Sequence, residues 1–206
     1  MTKVKICGLK RDEDIDIVNG FKPDFCGFII DFPKSHRSLS PDRVRSLVNG
    51  LDRNNITPVG VFVNADIELP ASLLNDRVIE IAQLHGDEDE EYIKDLKRMT
   101  GKQVIRAFKV KSRSDLEQAA SSCADYVLLD RGQGSGETFD WNILENSAEL
   151  AGRRWFLAGG LAEDNIAEAI SAFRPFGVDL SSSVETDRFK DRKKVKRIID
   201  IIRRMN

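Results

Sequence analysis

Cysteine is scarce in this chain. There are three, Cys7, Cys26 and Cys123, an odd count at spacings that build no disulfide framework and suit a reducing cytosol. Histidine is scarcer still. His36 and His85 stand far apart in sequence and no CxxC pair accompanies them, so a zinc site is not expected. Charge of either sign is not in excess. Thirty-two Lys and Arg offset 34 Asp and Glu, leaving a net charge of −2, whereas a broad nucleic-acid footprint needs a basic balance. No apolar run approaches the roughly 20 residues that span a bilayer. The opening Met1-Thr2-Lys3-Val4-Lys5 runs straight into a strand-like segment, so no signal peptide is expected and the predicted location is the cytoplasm. Pro/Gly/Ser-rich linkers and low-complexity segments are also missing, which argues for one domain over 1–206.

What is present is a regular alternation. Short β-branched runs recur at Lys3–Cys7, Phe25–Ile30, Thr57–Val63, Ile79–Leu84, Gln103–Phe108, Ala124–Asp130, Arg154–Ala158 and Gly177–Leu180. Most are apolar at consecutive positions, as parallel strands covered on both faces are. Charged segments of helical period separate them. Ser40-Pro41-Asp42 sets a capping serine before a proline at the first helical position. Ser114 with Glu117 reads as a capping box. Val195, Ile198, Ile199 and Ile202 form an apolar stripe near the C-terminus, so the basic stretch from Arg188 to Arg204 reads as the solvent face of a helix. Eight strand–helix units predict an α/β fold, a single (β/α)₈ TIM barrel with a parallel eight-stranded core. A doubly wound open sheet is the alternative.

In such a barrel the chemistry sits at the C-terminal ends of the strands. Cys7 ends the first strand. Arg37 follows the second. Gln83 and His85 end the fourth, and Asp130 the sixth. Gly159-Gly160 follow the seventh. Asp179 and Ser181-Ser182-Ser183 end the eighth. Taken singly, each has a plain structural reading: a strand cysteine is commonly a small buried hydrophobe, and an aspartate commonly caps a turn. Cys26 and Cys123 read as core or boundary residues. Small-residue loops after the last two strands are where phosphate is often held in these barrels, by backbone N–H groups and a helix N-terminus. A phosphorylated small-molecule ligand is therefore expected, with no nucleic acid, membrane or obligatory protein partner.

The motifs resemble one family. Lys5-Ile6-Cys7-Gly8-Leu9, Phe32 with Ser35 and Arg37, Gln83-Leu84-His85-Gly86, Leu129-Asp130 followed by Gly134-Ser135-Gly136 and Phe139-Asp140-Trp141, Leu157-Ala158-Gly159-Gly160-Leu161, and Val178-Asp179-Leu180-Ser181-Ser182 resemble, in order, the signatures of phosphoribosylanthranilate isomerases. The resemblance implies an acid–base Amadori rearrangement in tryptophan biosynthesis with no cofactor and no metal. It implies Cys7 as general base, Asp130 as general acid and Arg37 as the ligand of the anthranilate carboxylate. Gln83, His85 and Asp179 would line the substrate pocket, and Gly159, Gly160, Ser182 and Ser183 would hold the phosphate. The chain departs from the family's usual residues at Ser183 (glycine), His36 (proline) and Gln133 (glycine). Two other readings stay open. One is another phosphosugar enzyme on the same barrel, such as an epimerase or a Schiff-base aldolase that would use Lys5 or Lys109, and the other is a phosphate-ligand sensor without turnover, suggested by Ser183.

Overall fold

The computed structural model describes residues 1–130, 141–144 and 150–205. Eight parallel strands form its centre: β1 (Lys3–Cys7), β2 (Phe25–Ile30), β4 (Thr57–Phe62), β5 (Ile81–Leu84), β6 (Gln103–Lys109), β7 (Tyr126–Asp130), β8 (Trp155–Leu157) and β9 (Gly177–Leu180). They pair in chain order, and β1 pairs with both β9 and β2, so the sheet closes on itself. The barrel prediction holds, and the open-sheet alternative falls with that closure. Three short strands were not predicted: β3 (Ser38–Leu39), which extends the sheet beside β2, and β10 (Glu185–Thr186) with β11 (Phe189–Lys190), an antiparallel pair. At two residues each, they are too short to leave a periodic signal.

The helices lie outside, and their starts follow local chemistry. The α2 helix (Pro41–Asn49) begins where expected, with Ser40 Oγ accepting from the Arg43 N–H. The α5 helix (Arg113–Ser121) begins earlier than the sequence suggested. Its cap is Ser112, boxed with Asp115, rather than Ser114 with Glu117. Asp115 wins because its carboxylate accepts from the N–H groups of both Lys111 and Ser112, each at 2.8 Å. In the last helix, α7 (Arg192–Arg204), Val195, Ile198, Ile199 and Ile202 are buried. Its cations face outward, as the amphipathic pattern requires.

Two apolar layers result. One lies between barrel and helices. The other fills the barrel interior with Phe25, Val59, Ile81, Ile105, Tyr126, Leu128 and Phe156, among others. Phe156 meets Phe25 and Phe176 edge-on, each with ring centres 5.4 Å apart. That plug closes the lower barrel. Strand alternation then carries the inward positions upward to polar residues at the C-terminal rim.

Candidate active site

Because side chains alternate along a strand, Lys5 and Cys7 share the inward face of β1. Lys5 is fully buried, and its Nζ lies 3.0 Å from Asp179 Oδ1 on the adjoining β9, where the two residues stand in register. Cys7 pairs with Gly27 on the other side. A β-carbon at Gly27 would lie 2.7 Å from Cys7 Sγ and 3.2 Å from Lys5 Nζ, so the missing side chain is the space into which the thiol and the ammonium fit. Burial pushes the Cys7 thiol up, opposed by the Lys5 and Lys190 charges and reinforced by Asp179. Burial pulls Lys5 down, but Asp179 and Cys7 outweigh it and its pKa ends above the usual lysine range. A Schiff-base lysine must be neutral to attack a carbonyl, so this environment opposes the aldolase reading. Lys109, its other candidate, is exposed at the end of β6.

Arg37 lies in the loop after β2, and its guanidinium is already forked. Nε and Nη2 donate to Glu185 Oε1 and Oε2 at 2.8 and 2.7 Å. Lys190 Nζ reaches the same carboxylate at 2.7 Å and the Ser181 carbonyl at 3.0 Å. The stem of Arg37 crosses Gly8, whose φ of +82° and absent side chain allow the crossing: a β-carbon there would collide with Arg37 Cδ. Burial raises Glu185, but its two cationic partners prevail and hold it at about 2.

The opposite side of the rim carries a chain of three groups. Gln83 is buried at the end of β5, with its Nε2 3.1 Å from His85 Nδ1. His85 Nε2 lies 3.3 Å from Asp130 Oδ2 at the end of β7. With the amide nitrogen donating to Nδ1, the compatible imidazole tautomer turns its Nε2–H toward Asp130. The backbone behind is fixed by Glu88, which accepts from the Asn64 and Gly86 N–H groups and from Arg106.

The remaining predicted positions fall on adjoining loops. Gly159 and Gly160 follow β8 with φ of +79° and +70°, and Asn165 Nδ2 bonds the Gly160 carbonyl at 2.9 Å. Ser182 and Ser183 begin a short 3₁₀ turn after β9 (Ser182–Val184). Ser183 is not among the residues with positive φ, so its backbone suits a residue that carries a side chain. His36 is exposed in the loop beside Arg37. The glycine loop 132–136, Gln133, Phe139 and Asp140 lie outside the described residues. Cys26 is fully buried, while Cys123 is partly buried at a helix boundary, where its N–H donates to Glu90.

All the named site positions thus reach one rim: Cys7, Arg37, Asp179, Ser182 and Ser183 on one side, Gln83, His85 and Asp130 across from them, Gly159 and Gly160 between. Sequence reasoning missed Glu185 and Lys190, which belong to the unpredicted β10–β11 pair. The usable signal for Lys5 was a lysine inside a strand otherwise buried on both faces. Among the described residues no group of three or more His, Cys, Asp or Glu is placed to hold a metal ion.

A closed parallel barrel with titratable groups converging on its C-terminal rim places the chain in the (β/α)₈ class of barrels that work at that face. The sequence narrows the class. The family model described as N-(5'phosphoribosyl)anthranilate (PRA) isomerase matches residues 4–201, and the chain belongs to that family. It is 41% identical over 210 residues to the N-(5'-phosphoribosyl)anthranilate isomerase of Clostridium acetobutylicum, covering 99% of each chain. It is similar to the crystal structure of the Thermotoga maritima phosphoribosyl anthranilate isomerase, with TM-score 0.87, 33% identity and coverage of 98% and 99%. A phosphoribosyl anthranilate isomerase in complex with reduced 1-(o-carboxyphenylamino)-1-deoxyribulose 5-phosphate aligns with TM-score 0.85 and 32% identity over 98% and 99% of the two chains.

Proposed function

We propose that the chain, acting as one catalytic domain, isomerises N-(5'-phosphoribosyl)anthranilate to 1-(o-carboxyphenylamino)-1-deoxyribulose 5-phosphate in tryptophan biosynthesis. Full-length likeness to isomerases, one of them holding a reduced product, supports the reaction. The observation that supports the residue roles is that Cys7 and Asp130 end strands three places apart around the closed barrel, with their C-termini at the same rim.

Asp130 gives a proton to the furanose ring oxygen as the C1–O bond breaks, leaving an open-chain iminium. The cation acidifies the neighbouring C2–H. The Cys7 thiolate takes that proton, and the electron pair left behind neutralises the iminium to give an enolamine. Tautomerisation moves the hydroxyl proton of C2 to C1 and yields the aminoketose. The iminium is the electron sink, so no cofactor enters. His85, aligned by Gln83, orients the Asp130 carboxyl. Asp179 lines the pocket through its hold on Lys5. Arg37 turns its remaining N–H groups to the anthranilate carboxylate, while Glu185 fixes the guanidinium plane. The N–H groups around Gly159, Gly160, Ser182 and Ser183 receive the phosphate.

No helix among the described residues is long and apolar enough to cross a membrane. A phosphorylated substrate and a required reduced thiol support the cytoplasm as the site of action, without a protein partner. The test is loss of anthranilate-type fluorescence on freshly generated substrate. Wild type turns over, and Cys7→Ala and Asp130→Asn each fall at least about 10²-fold. Near-normal turnover in either variant removes that residue from the scheme. Binding without turnover by folded wild type would favour the sensor reading instead.

A further inference from the structure

A buried thiol resists ionisation, yet proton abstraction by Cys7 requires the anion. Among the described residues, the titratable and charged groups near it can be named. Lys5 shares its strand face, Asp179 stands behind Lys5 on β9, Cys26 adjoins on β2, Arg37 crosses Gly8, and Lys190 comes from β11. Three of these are cations, but two are already claimed: Arg37 and Lys190 share Glu185, at 2.7 Å each. Lys5 is different. Its ion-pair partner among the described residues, Asp179, approaches from the β9 side, while Nζ and the Cys7 sulfur both border the open space over Gly27 on the β2 side. Full burial removes the solvent that would screen the attraction.

We propose that Lys5, oriented by Asp179, is a positioning residue that favours the anionic form of the Cys7 sulfur against its burial, with Gly27 supplying the space that ammonium and sulfur both border. The inference rests on the reading of Cys7 as the base. It assigns Lys5 an electrostatic task rather than a covalent one: the amine stays protonated, forms no bond and returns unchanged after each turnover.

The sulfur's charge can be read without substrate. The full-length protein is alkylated with iodoacetamide from pH 6 to 10, and mass spectrometry follows the peptide that contains Cys7, separating it from Cys26 and Cys123. Compared are wild type, Lys5→Met, Lys5→Arg and Lys5→Met/Asp179→Asn. The double variant leaves no unpaired buried carboxylate if the single one fails to fold. The alkylation midpoint of Lys5→Met is expected to rise by about one pH unit or more, the size of effect a nearby opposite charge exerts, so that its rate at pH 7 falls about tenfold. The double variant moves the same way by less, since Asp179 opposes the thiolate. Lys5→Arg keeps most of the wild-type rate, and kcat falls in parallel with alkylation more than KM changes. A folded Lys5→Met or double variant whose midpoint matches wild type would overturn the proposal. A fully active Cys7→Ala protein would instead overturn the base assignment alone, because alkylation reports the sulfur's charge independently of turnover.

Discussion

Arg37 and Glu185 are joined by two parallel hydrogen bonds of 2.8 and 2.7 Å, across 148 residues of sequence and from two different loops of the rim. A guanidinium gripped this way is fixed in plane and position before substrate arrives. The carboxylate that grips it comes from the β10–β11 pair and also anchors Lys190, so one anion organises two cations beside Cys7.

Glu185→Gln should therefore destabilise the protein, by about 2–4 kcal/mol given how little of the pair is exposed. The effect depends on pH with a definite sign. The carboxyl is held at about 2 against an ordinary 4.5. Its contribution is thus complete above about pH 4.5 and is lost as pH falls towards 2. Denaturant titrations at pH 7 and pH 3 should show the gap between wild type and variant shrinking at the lower pH. An equal gap at both would mean that Glu185 does not act through its charge.

Gly8→Ala tests the same region from beneath. The φ of +82° is strained for alanine, and the new methyl would strike the Arg37 stem. With the fork displaced, KM is expected to rise about tenfold or more, with a smaller change in kcat. Steady-state kinetics would separate the two, and an unchanged KM would remove Arg37 from carboxylate binding.

Across the rim, Gln83→Leu should lower kcat about tenfold, because His85 loses the amide that holds its ring beside Asp130. An unchanged kcat in the folded variant would mark Gln83 as packing alone.

Phe156→Ala removes the ring on which Phe25 and Phe176 pack edge-on inside the barrel. Truncating a fully buried phenylalanine costs about 3–5 kcal/mol. For a chain of this size that lowers the thermal midpoint by roughly 6–20 °C. Calorimetry would measure it. A shift of a degree or two would mean the barrel interior collapses around the gap.

The sequence alone determined the repeating unit, and with it the architecture. Runs apolar at successive positions become strands covered on both faces, and eight of them separated by helical segments close into a barrel. Alternation within each strand also determined that Lys5 and Cys7 share a face, and strand ends determined which polar residues reach the rim. Local chemistry was legible where a cap lay within four residues, as at Ser40, and was misassigned at Ser112 because two overlapping boxes compete there. Tertiary structure decided who meets whom. Lys5 bonds Asp179 across 174 residues, Arg37 turns to Glu185, and His85 meets Asp130, because barrel closure and strand register bring together side chains that no local period relates. A pattern in sequence encodes the period of an element; the distance between two charges is set only when the sheet closes.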